Sequence, residues 1–146
     1  MEKAKWAFDK VKKPLIVDDT GVYFDAYSNF PGVFTKFIIK LLGFEGIFKL
    51  LEGKSRRAYF KCTIAYIDGN LHKPLFFEGI CEGKIAKKAS KSPDSNFEFN
   101  RIFIPKGENK TFSEMTIDER KKYSHRVKAL KKFLEWCITK KLSKYV

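Results

Sequence analysis

Apolar positions follow three rhythms in the first third of the chain. In residues 2–12, Ala4 lies four residues before Phe8 and Ala7 four before Val11, which predicts the end of a helix stopped at Pro14. Leu15-Ile16-Val17 is apolar without alternation, so it predicts a short strand buried on both faces and ending at Asp18-Asp19-Thr20-Gly21. Residues 22–25 suit a second short strand. Pro31 then fits the first turn of a helix carrying Val33, Phe34, Phe37, Ile38, Leu41 and Leu42, with Gly43 as its C-terminal cap. A further short helix is expected over residues 44–52, before Gly53.

The middle of the chain reads as strands. Residues 58–67 are β-branched and aromatic, Asp68-Gly69-Asn70 is a turn signal, and residues 73–78 form the returning strand. Residues 79–86 suit another strand with glycine interruptions. Residues 87–96 are a polar loop, and Arg101-Ile102-Phe103-Ile104 is a strand stopped by Pro105. From Thr116, whose spacing to Glu119 is that of a capping box, the chain turns helical. Tyr123, Val127, Leu130, Leu134 and Cys137 mark the face of that helix. The pattern has no repeat and no long linker. It predicts one α/β domain over residues 1–146, a mixed central sheet flanked by helices.

Composition narrows the partners. The 146 residues carry 30 Lys and Arg against 17 Asp and Glu, a net charge of +13. Such a balance attracts nucleic acid, anionic membranes or phosphorylated small molecules. It also suits a heavily charged, lysine-rich thermophilic chain. No run reaches the roughly 18 apolar residues of a membrane helix, so no membrane partner is expected. Cys62, Cys81 and Cys137 are an odd set with no CxxC spacing, which speaks against a zinc site or a disulfide framework and fits a reducing cytoplasm.

Three constellations can carry chemistry. Asp18 and Asp19 are either a pair that holds Mg²⁺ or a solvated turn. Mg²⁺ often takes one or two protein carboxylates and fills its shell with water and phosphate oxygens. Both acids reach one site only if the strand has ended there. Ser124-His125-Arg126 groups three hydrogen-bonding side chains, or caps a helix and decorates its surface. Phe97 and Phe99 flank Glu98 beside the polar loop, placed to stack on a base or to face a core.

The order of the segments adds to this. The chain reads VDDTG, FPGVFTKF, RRAYFKCTIAY, FEGICEGKIA, FNRIFIP, KTFSEM and SHR. It resembles the inosine/xanthosine triphosphate pyrophosphatases, whose motifs run (E/D)D(S/T)G, PG(V/P)(Y/F), RxAxF, EGxxxGxI, FG(Y/W)DPxFxP, KTxxEM and SHR in that order. The resemblance implies an ITPase-like fold, a homodimer, and Mg²⁺-dependent hydrolysis of ITP, dITP and XTP to monophosphate and pyrophosphate. It makes Asp19 the catalytic carboxylate and Asp18 and Asp19 the metal acids. Thr20 and Gly21 fall in the same substrate-binding motif. Phe97 matches the aromatic that stacks on the purine, with Phe99 and Asn100 beside it. Arg120 stands where a base-contacting Lys is usual, and Ser124, His125 and Arg126 match the triplet that reads the base edge.

The departures are specific. Glu98, Asn100 and Arg101 stand at positions where the family usually has Gly, Asp and Pro. Asn100 loses a charge and gains a donor; Glu98 is strained if the glycine it replaces had positive φ. The resemblance also implies that the family's opening strand, TGNxxKxxE-type loop and helix have no counterpart in these residues. A weakly active or inactive nucleotide-binding homologue is the rival reading, and poor activity with edge pairing or self-association is then expected. Nucleic-acid binding is a third. Residues 120–146 hold ten Lys or Arg against the single acid Glu135, a recognition face or a solvated helix surface, with the solvated surface preferred.

Overall fold

The computed structural model describes residues 2–91 and 97–142. Its elements are α1 (Glu2–Val11), β1 (Leu15–Phe24), β2 (Pro31–Gly32), α2 (Thr35–Leu50), β3 (Arg57–Ile67), β4 (Leu75–Ile85), β5 (Phe103–Pro105), α3 (Ile117–Tyr123) and α4 (His125–Leu142). Short 3-10 turns occupy Glu98–Arg101 and Phe112–Glu114. The strands order as β2-β1-β3-β4-β5 in one sheet. The α/β class holds. The mixed sheet expected from the sequence is, among the described strands, antiparallel. Val22 faces Gly32 across β1 and β2, and Gly83 faces Pro105 across β4 and β5.

The chain packs as two compact units. The first draws on Met1–Asp19, Cys62–Ile80 and His125–Val146; the second on Thr20–Lys61 and Cys81–Ser124. The second is built on an aromatic core. Phe24, Phe60, Phe99 and Phe103 are fully buried, and the Phe60 and Phe103 rings meet edge-on at 4.5 Å. Each such side chain contributes on the order of 1.5–3 kcal/mol by leaving water. Arg56 clamps this unit by donating from Nε to the Ile85 carbonyl at 2.9 Å. The KTFSEM segment is a capping device here: Thr111 Oγ1 and N both donate to Glu114 Oε2, at 2.7 and 2.8 Å. Thr116 and Glu119 repeat that device at the start of α3, where the sequence places it. In the first unit Ala4 packs on Ala65 and Ile67, while Tyr66, Phe77, Phe133 and Trp136 stack as an aromatic group.

Several local expectations are corrected. Pro31 does not open a helix. Pro31-Gly32 pairs with β1, and the helix begins at Thr35, whose hydroxyl accepts the Val22 N–H at 2.8 Å and donates to the Gly32 carbonyl. Gly43 does end a helical piece, with φ +61° and ψ −172°, and a second piece follows it. The strand expected to end at Asp18 runs unbroken to Phe24, because Val22 and Tyr23 continue the ladder onto β2. Leu15-Ile16-Val17 is not buried on both faces: Leu15 and Val17 are half-buried and Ile16 is 49% exposed. The two strands expected over residues 73–86 are one, β4. Arg101 belongs to the 3-10 turn, and Pro105 closes β5 rather than lying beyond it. The long C-terminal helix breaks at Ser124 (φ −57°, ψ 114°) into α3 and α4. Val127, Leu130 and Leu134 are exposed; α4 docks instead through His125, Ala129, Phe133 and Trp136. The polar loop is described only to Lys91; residues 92–96 lie outside the described residues.

Candidate functional site

The first unit brings together two of the segments singled out in the sequence. Asp18 and Asp19 lie exposed on β1, and the Asp18 carboxylate is 3.9 Å from Arg126 Nε at the start of α4. Lys3 Nζ donates to the Asp18 carbonyl at 3.0 Å. VDDTG and SHR, distant in sequence, therefore meet in space. In an unbroken strand consecutive side chains leave on opposite faces. The structure thus separates the two carboxylates rather than aiming both at one point, and Asp18 faces Arg126.

Donor chemistry at β1 suits a hard divalent ion. Each side of the strand offers one exposed carboxylate, Asp18 on one and Asp19 on the other. Mg²⁺ is commonly held by one or two carboxylates, with water and phosphate completing the shell. The next residue, Thr20, has its hydroxyl buried without a hydrogen-bond partner among the described residues. Gly21 has a steric cause: a Cβ there would lie 2.6 Å from the Gly32 carbonyl oxygen.

His125 and Arg126 are placed by the docking of α4 on β4. Gly79 lies against the helix backbone, where a Cβ would come within 2.5 Å of Ala129 N. Lys128 and Lys132 donate to the Ile80 and Glu78 carbonyls at 2.9 and 2.7 Å, which ties the helix along the strand. Burial pushes the His125 imidazole down to about 4, helped by the Arg126 and Lys128 charges. It is therefore neutral at pH 7, with one ring nitrogen a donor and the other an acceptor. Arg126 stays exposed and charged. Ser124, at the C-terminal cap of α3, belongs to the second unit.

The second unit sorts the aromatic candidates. Phe99 is fully buried, 6.2 Å from Phe24, and offers no face to a base. Phe97 is half-buried, its ring 5.7 Å from Phe60, and lines a cavity of about 440 Å³ with Lys36, Ile39, Lys40, Gly43, Phe44 and Glu98. Asn100 is half-buried in the 3-10 turn, its N–H donating to the Phe97 carbonyl at 2.9 Å. Glu98 carries no strain, since Lys12 and Asn29 are the non-glycine positive-φ residues described. Arg101 donates to the Ser90 carbonyl at 2.9 and 3.0 Å and lies 4.8 Å over the Phe44 ring, a clamp that holds the loop. Arg120 donates from Nε to the Met115 carbonyl at 3.2 Å. Lys36 and Lys40 were not among the candidates from sequence. Their four-residue spacing among the apolar Phe37, Ile38, Ile39, Leu41 and Leu42 is the signal that marks them.

The fold is thus an α/β sheet with flanking helices that sets acids on a strand beside a basic helix start. A model of the Ham1 family matches residues 1–136. The chain is 45% identical over 134 residues to the dITP/XTP pyrophosphatase of Thermococcus kodakarensis, covering 91% of this chain and 70% of that protein. It is 40% identical over 131 residues to the inosine triphosphate pyrophosphatase of Yarrowia lipolytica, covering 89% and 68%. A HAM1 protein from Coxiella burnetii superposes with a TM-score of 0.78 at 28% identity, covering 95% of this chain and 74% of that one. The chain belongs to the Ham1 family.

Proposed function

We propose that this chain hydrolyses non-standard purine nucleoside triphosphates, namely ITP, dITP and XTP, to the monophosphate and pyrophosphate. The observation that carries the reading is the approach of Asp18 to Arg126, which joins the two most distant chemical motifs of the set. The names of the relatives support the same activity. Asp19 takes the proton of the attacking water, and Asp18 is the neighbouring acid. A divalent ion, Mg²⁺, held by one of these carboxylates with water and phosphate oxygens would offset phosphate charge and orient the chain of phosphates. Lys36 and Lys40 add positive charge beside Phe97, whose ring stacks on the purine. Asn100, Arg120 and Ser124 supply further polar contacts to the substrate.

Base choice follows from donors. Arg126, exposed at the start of α4, offers hydrogen bonds that a 6-keto oxygen accepts, whereas the adenine amino group leaves them unpaired; His125 is buried beside it and supports the helix start instead. Guanine shares the keto oxygen, so Arg126 separates keto from amino bases and not hypoxanthine from guanine.

Residues 1–146 act in this reading as one functional domain in a reducing cytoplasm; the three cysteines are free thiols. No helix among the described residues is long and apolar enough to cross a membrane. The exposed apolar side chains of Val33, Phe34, Phe37 and Leu41 form the surface for a homodimer, since a patch of this kind marks a protein contact. Replacing Phe37 with Glu would then give a monomer by light scattering. The activity is tested by pyrophosphate release from ITP, XTP, ATP and GTP, with and without Mg²⁺. Hydrolysis with no preference for ITP or XTP over ATP would overturn the reading.

A further inference from the structure

Helix α3 is held in an unusual way. It has seven residues, none of them buried, and its Ile117 is 74% exposed. So short a helix is not stable by itself and normally relies on an apolar face. Polar tethers at both ends supplement its apolar contact, the half-buried Tyr123 ring. At the start, Glu119 Oε2 accepts the Thr116 N–H at 2.7 Å and Glu119 Oε1 accepts Lys110 Nζ at 3.2 Å. These bonds, the Thr116 N–H first, hold the Glu119 carboxyl below its ordinary range. At the end, the Tyr123 hydroxyl donates to Glu108 Oε1 in the loop after β5. That bond raises the tyrosine above its ordinary pKa.

What α3 carries gives the tethers meaning. Arg120 lies three residues before Tyr123, on the same helix face. Ser124 follows Tyr123 directly. The Tyr123 ring packs on the fringe of the Phe60 core, the fringe that also holds Phe97. A shift of the last turn therefore moves two polar substrate contacts relative to the stacking ring.

We propose that Tyr123 and Glu108 are positioning residues for base recognition, their bond fixing the last turn of α3 and with it Arg120 and Ser124. The inference rests on the substrate reading above and adds a specificity device outside the base-contacting set. Neither residue touches the substrate; both act through the helix.

The test uses the full chain and four variants: Tyr123→Phe, Glu108→Ala, the double variant, and Glu108→Gln, which keeps an acceptor oxygen. KM and kcat are measured for ITP and ATP, together with metal-free binding of both nucleotides by calorimetry and the melting temperature. Tyr123→Phe and Glu108→Ala should each raise KM for ITP about tenfold, the worth of a hydrogen bond to a charged group. kcat should stay within about twofold, because the chemistry at Asp19 is untouched. The ITP-to-ATP preference should fall by the same factor. The double variant should be no worse than either single one, and Glu108→Gln should recover most of the loss. A lower melting temperature with unchanged KM and preference would make the pair merely structural and overturn the inference. A parent chain that prefers ITP in neither turnover nor binding overturns the substrate reading and this inference with it. A parent that prefers ITP, with a Tyr123→Phe variant equal to it, sinks this inference alone.

Discussion

Gly79 on β4 and His125 on α4 approach backbone to backbone: a Cβ added to Gly79 would lie 2.0 Å from the His125 carbonyl oxygen. The glycine lets the helix start approach the strand this closely, and the approach sets where His125 and Arg126 stand. Gly79→Ala must push α4 away. Overpacking of this kind costs about 1–3 kcal/mol. The melting temperature should fall and ITP turnover should fall with it. An alanine variant with parental stability would mean that α4 sits farther from β4 than described.

Asp19→Asn keeps the size of an exposed side chain and removes its negative charge. Stability should change by no more than about 0.5 kcal/mol, as at most surface positions. Turnover of ITP should drop by roughly a hundredfold or more, the usual worth of a general base. Near-normal turnover would remove Asp19 from the chemistry.

Arg126→Ala separates two roles. Both side chains of the Arg126–Asp18 pair are more than half exposed, so its loss costs little stability. If Arg126 reads the keto base, ITP turnover falls far more than ATP turnover. Equal losses on the two substrates would reassign Arg126 to the phosphates or to holding Asp18.

His125 should make stability depend on acidity. Its folded-state value lies near 4 against an ordinary 6.5, through burial and the Arg126 and Lys128 charges. Between those values the unfolded chain holds a proton that the folded chain does not, so stability rises with pH across the window. The contribution is complete above about 6.5 and is lost as the pH falls toward 4, at about 1.4 kcal/mol per unit. His125→Gln should flatten that limb in urea melts at pH 4.5 and pH 7. An unchanged slope would assign the acid sensitivity to other groups.

Local rules were enough for much of this protein. Gly43 breaks its helix and Thr116 with Glu119 starts another, because positive φ and end-capping act within a few residues. The α/β class and the ordered motifs were equally legible, and with them the family. Tertiary contact decided the rest. Pro31-Gly32 became a strand because it pairs with Val22 and Tyr23 of β1, with the Thr35 hydroxyl bridging the Val22 N–H and the Gly32 carbonyl. Phe97 and Phe99 are alike in sequence, yet Phe99 fills the core while Phe97 lines a cavity with Lys36 and Lys40. Periodicity reports which side chains share a face, not what covers that face. For that reason the exposure of Val127, Leu130 and Leu134, the meeting of Asp18 with Arg126 and the tether between Tyr123 and Glu108 emerge only once distant segments have packed.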